Sequence, residues 1–174
     1  MLAAASLSRQ ADLFARRGEF DALERHYAPE ARVEYMSLAG GEPERKSARV
    51  LVSQWAAVLP GFDRTRHALP DIKVRLNGSN TTASANVVAD HWLRSQYWQV
   101  SGRYGCGLVR DELEWRIAAH KLTVTGERGS RDIFAPAIDP AKARRWPTSF
   151  ASALAQWLWL RQGYREGERR PAGG

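Results

Sequence analysis

Two histidines and two tyrosines carry the chemistry this chain can offer. An imidazole titrates near neutrality and can take a proton from carbon or hold a departing hydroxyl, and a phenol can donate to an oxygen that is gaining charge. In the run 80–94 the odd positions give Ala83, Ala85, Val87, Ala89, His91 and Leu93, and the even ones Thr82, Ser84, Asn86, Asp90 and Arg94, so His91 falls on the apolar face. In the next run Trp98, Val100, Tyr104, Cys106 and Leu108 oppose Gln99, Ser101 and Arg103, which turns Tyr104 inward. Tyr35 continues an alternation with Ala31 and Val33. His67 is out of phase with Ile72, Val74 and Leu76 unless the strand bulges at Leu69-Pro70, and a proline inside a strand predicts such a bulge.

Imidazoles and a phenol around one apolar hollow suit proton removal beside a carbonyl. His91 is then the base, Tyr35 or Tyr104 steadies the enolate oxygen, and His67 holds or protonates the leaving hydroxyl, with water loss or double-bond migration as the outcome. The competing reading of either histidine is a satisfied core residue. His26 and His120 are read as surface or packing residues, and Trp55, Trp92, Trp98 and Trp115 as core or rim. No cysteine and histidine spacing suggests zinc and no glycine-rich phosphate loop is present, so neither a metal nor an organic cofactor is expected.

The elements that must position these groups follow from periodicity. Leu7, Ala11 and Phe14 mark a helix over 5–17, and Phe20, Leu23 and Tyr27 a second short one that Pro29 stops. A short strand from Ala31 ends at Gly40-Gly41, and a helix over about 45–58 presents Leu51, Trp55, Val58 and Leu59 before Pro60-Gly61. Residues 65–76 and 80–94 form a hairpin through Asn77-Gly78-Ser79, and strands 96–110 and 113–126 turn at Asp111-Glu112. Gly102, Gly105 and Gly107 predict a sheet that bends sharply and turns one face concave. Residues 135–147, with three prolines, read as a connector to a helix over 148–162. The chain divides into a domain over 1–134 and a connector with C-terminal helix and tail over 135–174.

Composition narrows the setting. Lys plus Arg number 26 against 19 acids, a formal charge of +7, but the arginines are spread along the chain with one cluster near the C-terminus, and no reading helix or RNA-binding aromatic signature accompanies them. Nucleic acid is therefore not the expected partner. Cys106 is the single cysteine, and the N-terminus lacks the charged and apolar regions of a signal peptide, so the cytoplasm is the expected location, with no integral membrane segment.

The segments FDALERHYAPEARVEY, TRHALPDIKV, ASANVVADHW and GRYGCGLVRDELEWRI, in that order over roughly residues 5–127, resemble the SnoaL-like branch of the nuclear transport factor 2-like superfamily, and the scytalone dehydratases within it. The resemblance implies an α+β fold, cone-shaped and cystatin-like, with N-terminal helices on a strongly bent antiparallel sheet. It implies a small, cyclic, largely apolar substrate, a cofactor-independent lyase or isomerase of the dehydratase type, and a homodimer or homotrimer. It places the substrate histidines at His67 and His91 and one tyrosine at Tyr35; Trp55, Trp98, Val87 and Arg16 are expected, beside it, to contact the substrate. Arg16 stands where the family has an aspartate, Ala15 replaces the preceding tyrosine, and the family's asparagine falls near Tyr104. Arg16 either faces the cavity mouth or pairs with Asp12 one turn earlier. A second function stays open: a non-catalytic ligand-binding or assembly subunit, like the small subunits of ring-hydroxylating dioxygenases. The Trp-rich tail helix reads as a lid, an intersubunit contact or a membrane-surface element.

Overall fold

The computed structural model describes residues 19–77, 81–111 and 114–138. In chain order it contains α1 (Phe20–Glu24), β1 (Tyr27–Glu34), α2 (Met36–Ala39), β2 (Glu44–Ser47), α3 (Ala48–Val58), a 3-10 turn (Leu59–Gly61), β3 (Arg64–Ala68), β4 (Lys73–Arg75), β5 (Thr81–Leu93), β6 (Gln96–Asp111), β7 (Glu114–Gly129), a second 3-10 turn (Arg131–Ile133) and α4 (Phe134–Ala137). The strands form one seven-stranded sheet in the order β2-β1-β7-β6-β5-β3, with β4 also on β5. Only β1 and β7 run parallel; the other pairings are antiparallel. Helices and a mixed open sheet make this an α+β fold, as expected.

The long strands β5, β6 and β7 are the frame. Their inward positions, among them Ala83, Val87, Ala89, Trp98, Val100 and Leu108, are buried in one cluster with Leu23 of α1 and Leu51 of α3. Helix α3 starts where Ser47 Oγ accepts from the Val50 amide at 3.3 Å, and it sets Leu51, Trp55 and Val58 one turn apart on the side that faces the sheet. The β6–β7 register slips at Ser101/Gly102 and again at Gly107/Leu108. A Cβ on Gly102 would lie 2.5 Å from the Thr123 carbonyl oxygen, so the close approach at the first slip requires glycine.

Between β3 and β4 the chain gains one residue on its partner. His67 pairs with Ala89 and Val74 with Ala83, seven steps against six, and the irregular stretch contains Pro70 and Asp71 at φ 60°. The slip returns His67 to the inward face, as the proline predicts.

Several local readings are corrected. Helix α1 ends at Glu24, and Tyr27 opens β1 rather than closing a helix, because β1 finds β7 as a partner. Pro29 does not stop a helix; it lies within β1, in the stretch between Tyr27 and Arg32 where pairing with β7 is interrupted. The strand from Ala31 gives way at Glu34 to the turn of α2, which precedes Gly40 at φ 72° and Gly41 at φ 78°. The helix expected from about 45 starts at Ala48, because Glu44–Ser47 adds an edge strand to β1. The beginning of the expected connector is α4, whose Phe134 and Ala137 are buried. The helices over 5–17 and 148–162, Arg16, the C-terminal tail and the tight turns at Gly78-Ser79 and Glu112 lie outside the described residues. No helix among the described residues is long and apolar enough to cross a membrane.

Candidate functional site

The inner face of the sheet, α2, α3 and α4 enclose a cavity of about 230 Å³. That exceeds the roughly 150 Å³ sufficient for benzene, and suits one substituted ring or a compact pair of rings. His67 from β3, His91 from β5, Tyr104 from β6 and Tyr35 from the start of α2 all line it. Trp55 and Trp98 line it as well. Val87, opposite Gly102 in the ladder, is packed into the core instead and supports the wall without forming it.

The cavity has two chemical poles. At one, the His67 and His91 rings meet edge to face with centroids 5.5 Å apart, and His91 packs between Phe62 and Trp98, each at 4.9 Å, with Phe134 at 5.9 Å. At the other, Tyr35 and Tyr104 surround His120, their rings 5.4 and 4.6 Å from its own. Tyr35 is held because α2 is pinned to β7: Ser37 Oγ donates to the Leu122 carbonyl at 2.7 Å and accepts from the Val124 amide at 3.0 Å.

Burial sets the protonation of both poles. It lowers His91 to about 4, against smaller upward pulls from a hydrogen bond to the Trp98 backbone and from Asp90. It lowers His67 to about 3, aided by His91 and opposed by Asp90, and lowers His120 to about 3. Burial also raises the phenols of Tyr35 and Tyr104 and pushes the Cys106 thiol up to about 12. At neutral pH the imidazoles are therefore uncharged and the phenols protonated.

A clasp on the opposite face of the sheet fixes the strands that bear the histidines. The buried Asp90 carboxylate accepts from Arg66 Nε at 2.9 Å, from the Tyr97 hydroxyl at 2.7 Å and from Gln99 Nε2 at 2.7 Å, and pairs with Arg66 Nη2 at 2.8 Å. Arg66 sits opposite Asp90 in the register that places His67 by Ala89 and His91 by Thr65, so the clasp and the inward imidazoles share one alignment. At the mouth, Lys46 Nζ donates to Gln54 Oε1 at 3.2 Å and pairs with Glu44 at 3.1 Å. Among the described residues no three His, Cys, Asp or Glu side chains cluster as a metal site requires.

Reading by alternation missed His120 as part of the site, along with Tyr27, Phe134 and the Lys46 rim. Ile117 and His120 are both buried because β7 carries an extra residue between them, where Gly107 pairs with Ala119 and Leu108 with Ile117. The glycine at that slip, Gly107, stands on the partner strand β6, so the sequence of β7 itself does not mark it.

A cavity between short helices and one face of an open mixed sheet fits the nuclear transport factor 2-like class. Residues 6–121 match the SnoaL-like domain family, and the chain belongs to it. No curated protein matches the chain in sequence. Among solved structures it is similar to the Kfla4162 protein of Kribbella flavida, at 25% identity and TM-score 0.69 over 73% of this chain and 90% of that one. A provisionally named scytalone dehydratase of Novosphingobium aromaticivorans is similar at 13% identity and TM-score 0.64, over 73% and 84%. The beta subunit of the benzoate 1,2-dioxygenase of Burkholderia mallei is similar at 15% identity and TM-score 0.57, over 70% and 87%.

Proposed function

We propose that the protein is a cofactor-independent lyase or isomerase that removes a proton beside a carbonyl of a small, largely apolar ring compound. The observation that carries this reading is the two-pole cavity, with neutral imidazoles of His67 and His91 at one end and protonated phenols of Tyr35 and Tyr104 at the other. His91 takes the proton from carbon, and the electron pair of that C–H bond moves onto the carbonyl oxygen, where phenol donors meet the developing charge. When the carbonyl re-forms, a hydroxyl on the next carbon leaves, held by His67, and the proton gained at His91 departs with it as water. In a β,γ-unsaturated ketone without that hydroxyl the proton returns to the γ carbon and the double bond moves into conjugation with the carbonyl. Trp55 and Trp98 flank the ring. The expected setting is a cytoplasmic homodimer or homotrimer.

Proton exchange tests the first step without knowledge of the natural substrate. Single- and two-ring ketones in deuterated buffer, followed by proton NMR, should lose the signal beside the carbonyl faster with the protein than without it. His91→Ala should lower that rate about 10²-fold or more, the usual contribution of a placed base, and His67→Ala should slow elimination more than exchange. Exchange that is unchanged in both variants, or absent with the wild type, refutes the catalytic reading. Absent exchange with retained ketone binding leaves the second reading, a non-catalytic ligand-binding or assembly subunit, which the similarity to a dioxygenase beta subunit favours.

A further inference from the structure

The mouth of the cavity carries a polar group that the proposed reaction leaves unused. Lys46 and Glu44 of β2 and Gln54 of α3 all line the cavity. The Lys46 ammonium pairs with Glu44 Oε2 at 3.1 Å and donates to Gln54 Oε1 at 3.2 Å, and its side chain is 18% exposed against 50% for Glu44. An ammonium can only donate, so the Gln54 amide must turn its oxygen toward Lys46 and its NH₂ group away. These two contacts use two of the three ammonium protons. One ammonium proton and both amide protons remain to be offered to a ligand, and the other Glu44 oxygen, without a partner among the described residues, remains as an acceptor.

Charge and donor count decide what such a group can read. Glu42 also lines the mouth, so two carboxylates stand against one ammonium that Glu44 already neutralises, and a ligand carboxylate would meet net repulsion. An ether oxygen could accept from Gln54 or Lys46 but has no proton for Glu44. A hydroxyl does both: it accepts from the amide or the ammonium and donates to the Glu44 carboxylate. The sheet order fixes where that hydroxyl would lie. Strands β2 and β3 are opposite ends of the sheet path, so Lys46 stands at one end of the inner face and His67 at the other, with Tyr35, which follows β1, and Tyr104 of β6 between them.

We propose that Lys46, Glu44 and Gln54 are specificity residues that select a ring hydroxyl on the ligand, placed beyond its carbonyl and away from the C–H that faces His91. The inference rests on reading the cavity as one for a small ring ketone, and it narrows that class to ring ketones that carry a hydroxyl and no carboxylate. A mere strut between β2 and α3 would instead act on stability, and its loss would weaken every ligand alike.

Isothermal titration calorimetry separates the two. 7-Hydroxy-1-tetralone should bind the wild type about tenfold more tightly than 1-tetralone or 7-methoxy-1-tetralone, the worth of one strong hydrogen bond or two ordinary ones, and the 7-carboxylate should bind more weakly than 1-tetralone. Gln54→Met and Lys46→Met, which keep the side-chain length, should each abolish the preference for the hydroxyl while leaving the affinity for 1-tetralone unchanged, and Glu44→Gln should admit the carboxylate. Equal binding of the hydroxy and methoxy compounds, or a preference kept in both Met variants, overturns the assignment; should one Met variant not fold, the other decides. A second pair, 2-naphthol and naphthalene, has no carbonyl. A hydroxyl preference in that pair, lost in the Met variants, together with no binding of any tetralone refutes the ketone reading and leaves the hydroxyl site standing. Tetralone binding without a hydroxyl preference refutes the hydroxyl site alone, and no binding of any of these rings refutes both.

Discussion

Lowering the pH from 7 to 4.5 should destabilise this fold steeply, and the buried histidines set the size of the effect. His91 and His120 are 4% and 1% exposed, with pKa values brought down to about 4 and about 3, whereas an unfolded histidine titrates near 6.5. Between those values the unfolded chain binds protons that the native chain does not, so stability falls as pH falls through 6.5 and the loss levels off only near the native pKa values. Each group contributes about 1.4 kcal/mol per pH unit in that window, hence about 2.5 kcal/mol by pH 4.5 and about 5 kcal/mol for the two. His67, lowered to about 3, adds a similar share by the same linkage, for about 7.5 kcal/mol over the three rings. The lowered carboxylate of Asp90 acts in a lower window, since its contribution is intact above the unfolded value near 4 and is lost as pH falls through its folded pKa. A loss of about 7.5 kcal/mol is half or more of the stability of an ordinary domain. Urea denaturation followed by tryptophan fluorescence at both pH values measures it, and His120→Gln should remove about a third of the pH-dependent part whatever it does to stability at pH 7. A curve flat between pH 7 and 4.5, or a slope unchanged in His120→Gln, would refute the argument that burial holds these rings neutral.

Other substitutions probe the frame and the cooperation of the poles. Asp90→Asn removes the charge that Arg66, Tyr97 and Gln99 converge on, and should cost about 2–3 kcal/mol in chemical denaturation. Gly102→Ala would bring a methyl against the Thr123 carbonyl and should cost about 1–3 kcal/mol, whereas Gly105→Ala, which meets nothing within 4 Å, should stay within about 0.5 kcal/mol; equal melting temperatures would contradict the close approach. In the exchange assay, His91→Ala combined with Tyr35→Phe should lose little more activity than His91→Ala alone; fully multiplicative losses would show that the poles work independently.

How much of this was legible depends on whether each irregularity has a residue that signals it. Alternation placed His91 and Tyr104 inward, because β5 and β6 keep a register without slips along their whole pairing. His67 was recoverable because Pro70 marks the slip between β3 and β4. His120 was not, because strict alternation from Ile117 points it outward, and the glycine at the slip before it, Gly107, stands on β6 while the extra residue, Ala118, stands on β7. Strand β2, with the sequence ERKS, shows no apolar alternation because it is an edge with much of its surface in water. Pro136 made the segment after 134 look like a connector, yet proline is tolerated in the first turn of a helix, and there Phe134 completes the aromatic wall behind His91.

The dryness that keeps the imidazoles neutral looks at first like a handicap for a base, since a pKa near 4 leaves His91 a weak acceptor in the empty cavity. Lowering it from 6.5 amounts to about 3 kcal/mol against charging the ring. In the proposed reaction, however, a proton taken from carbon would leave an anion in the same cavity, and two opposite charges about 5 Å apart attract by about 3 kcal/mol at an effective dielectric of 20. The substrate's own negative charge would therefore offset the cost of forming the imidazolium, and the phenol donors would lower the energy of that anion further. Water or buffer acids supply no such counter-charge inside the cavity. A weak buried base facing a preorganised donor pole thus charges only when an enolate forms beside it, which makes the separation of the two poles across one cavity, rather than the basicity of either histidine, the feature that would select carbonyl compounds for reaction.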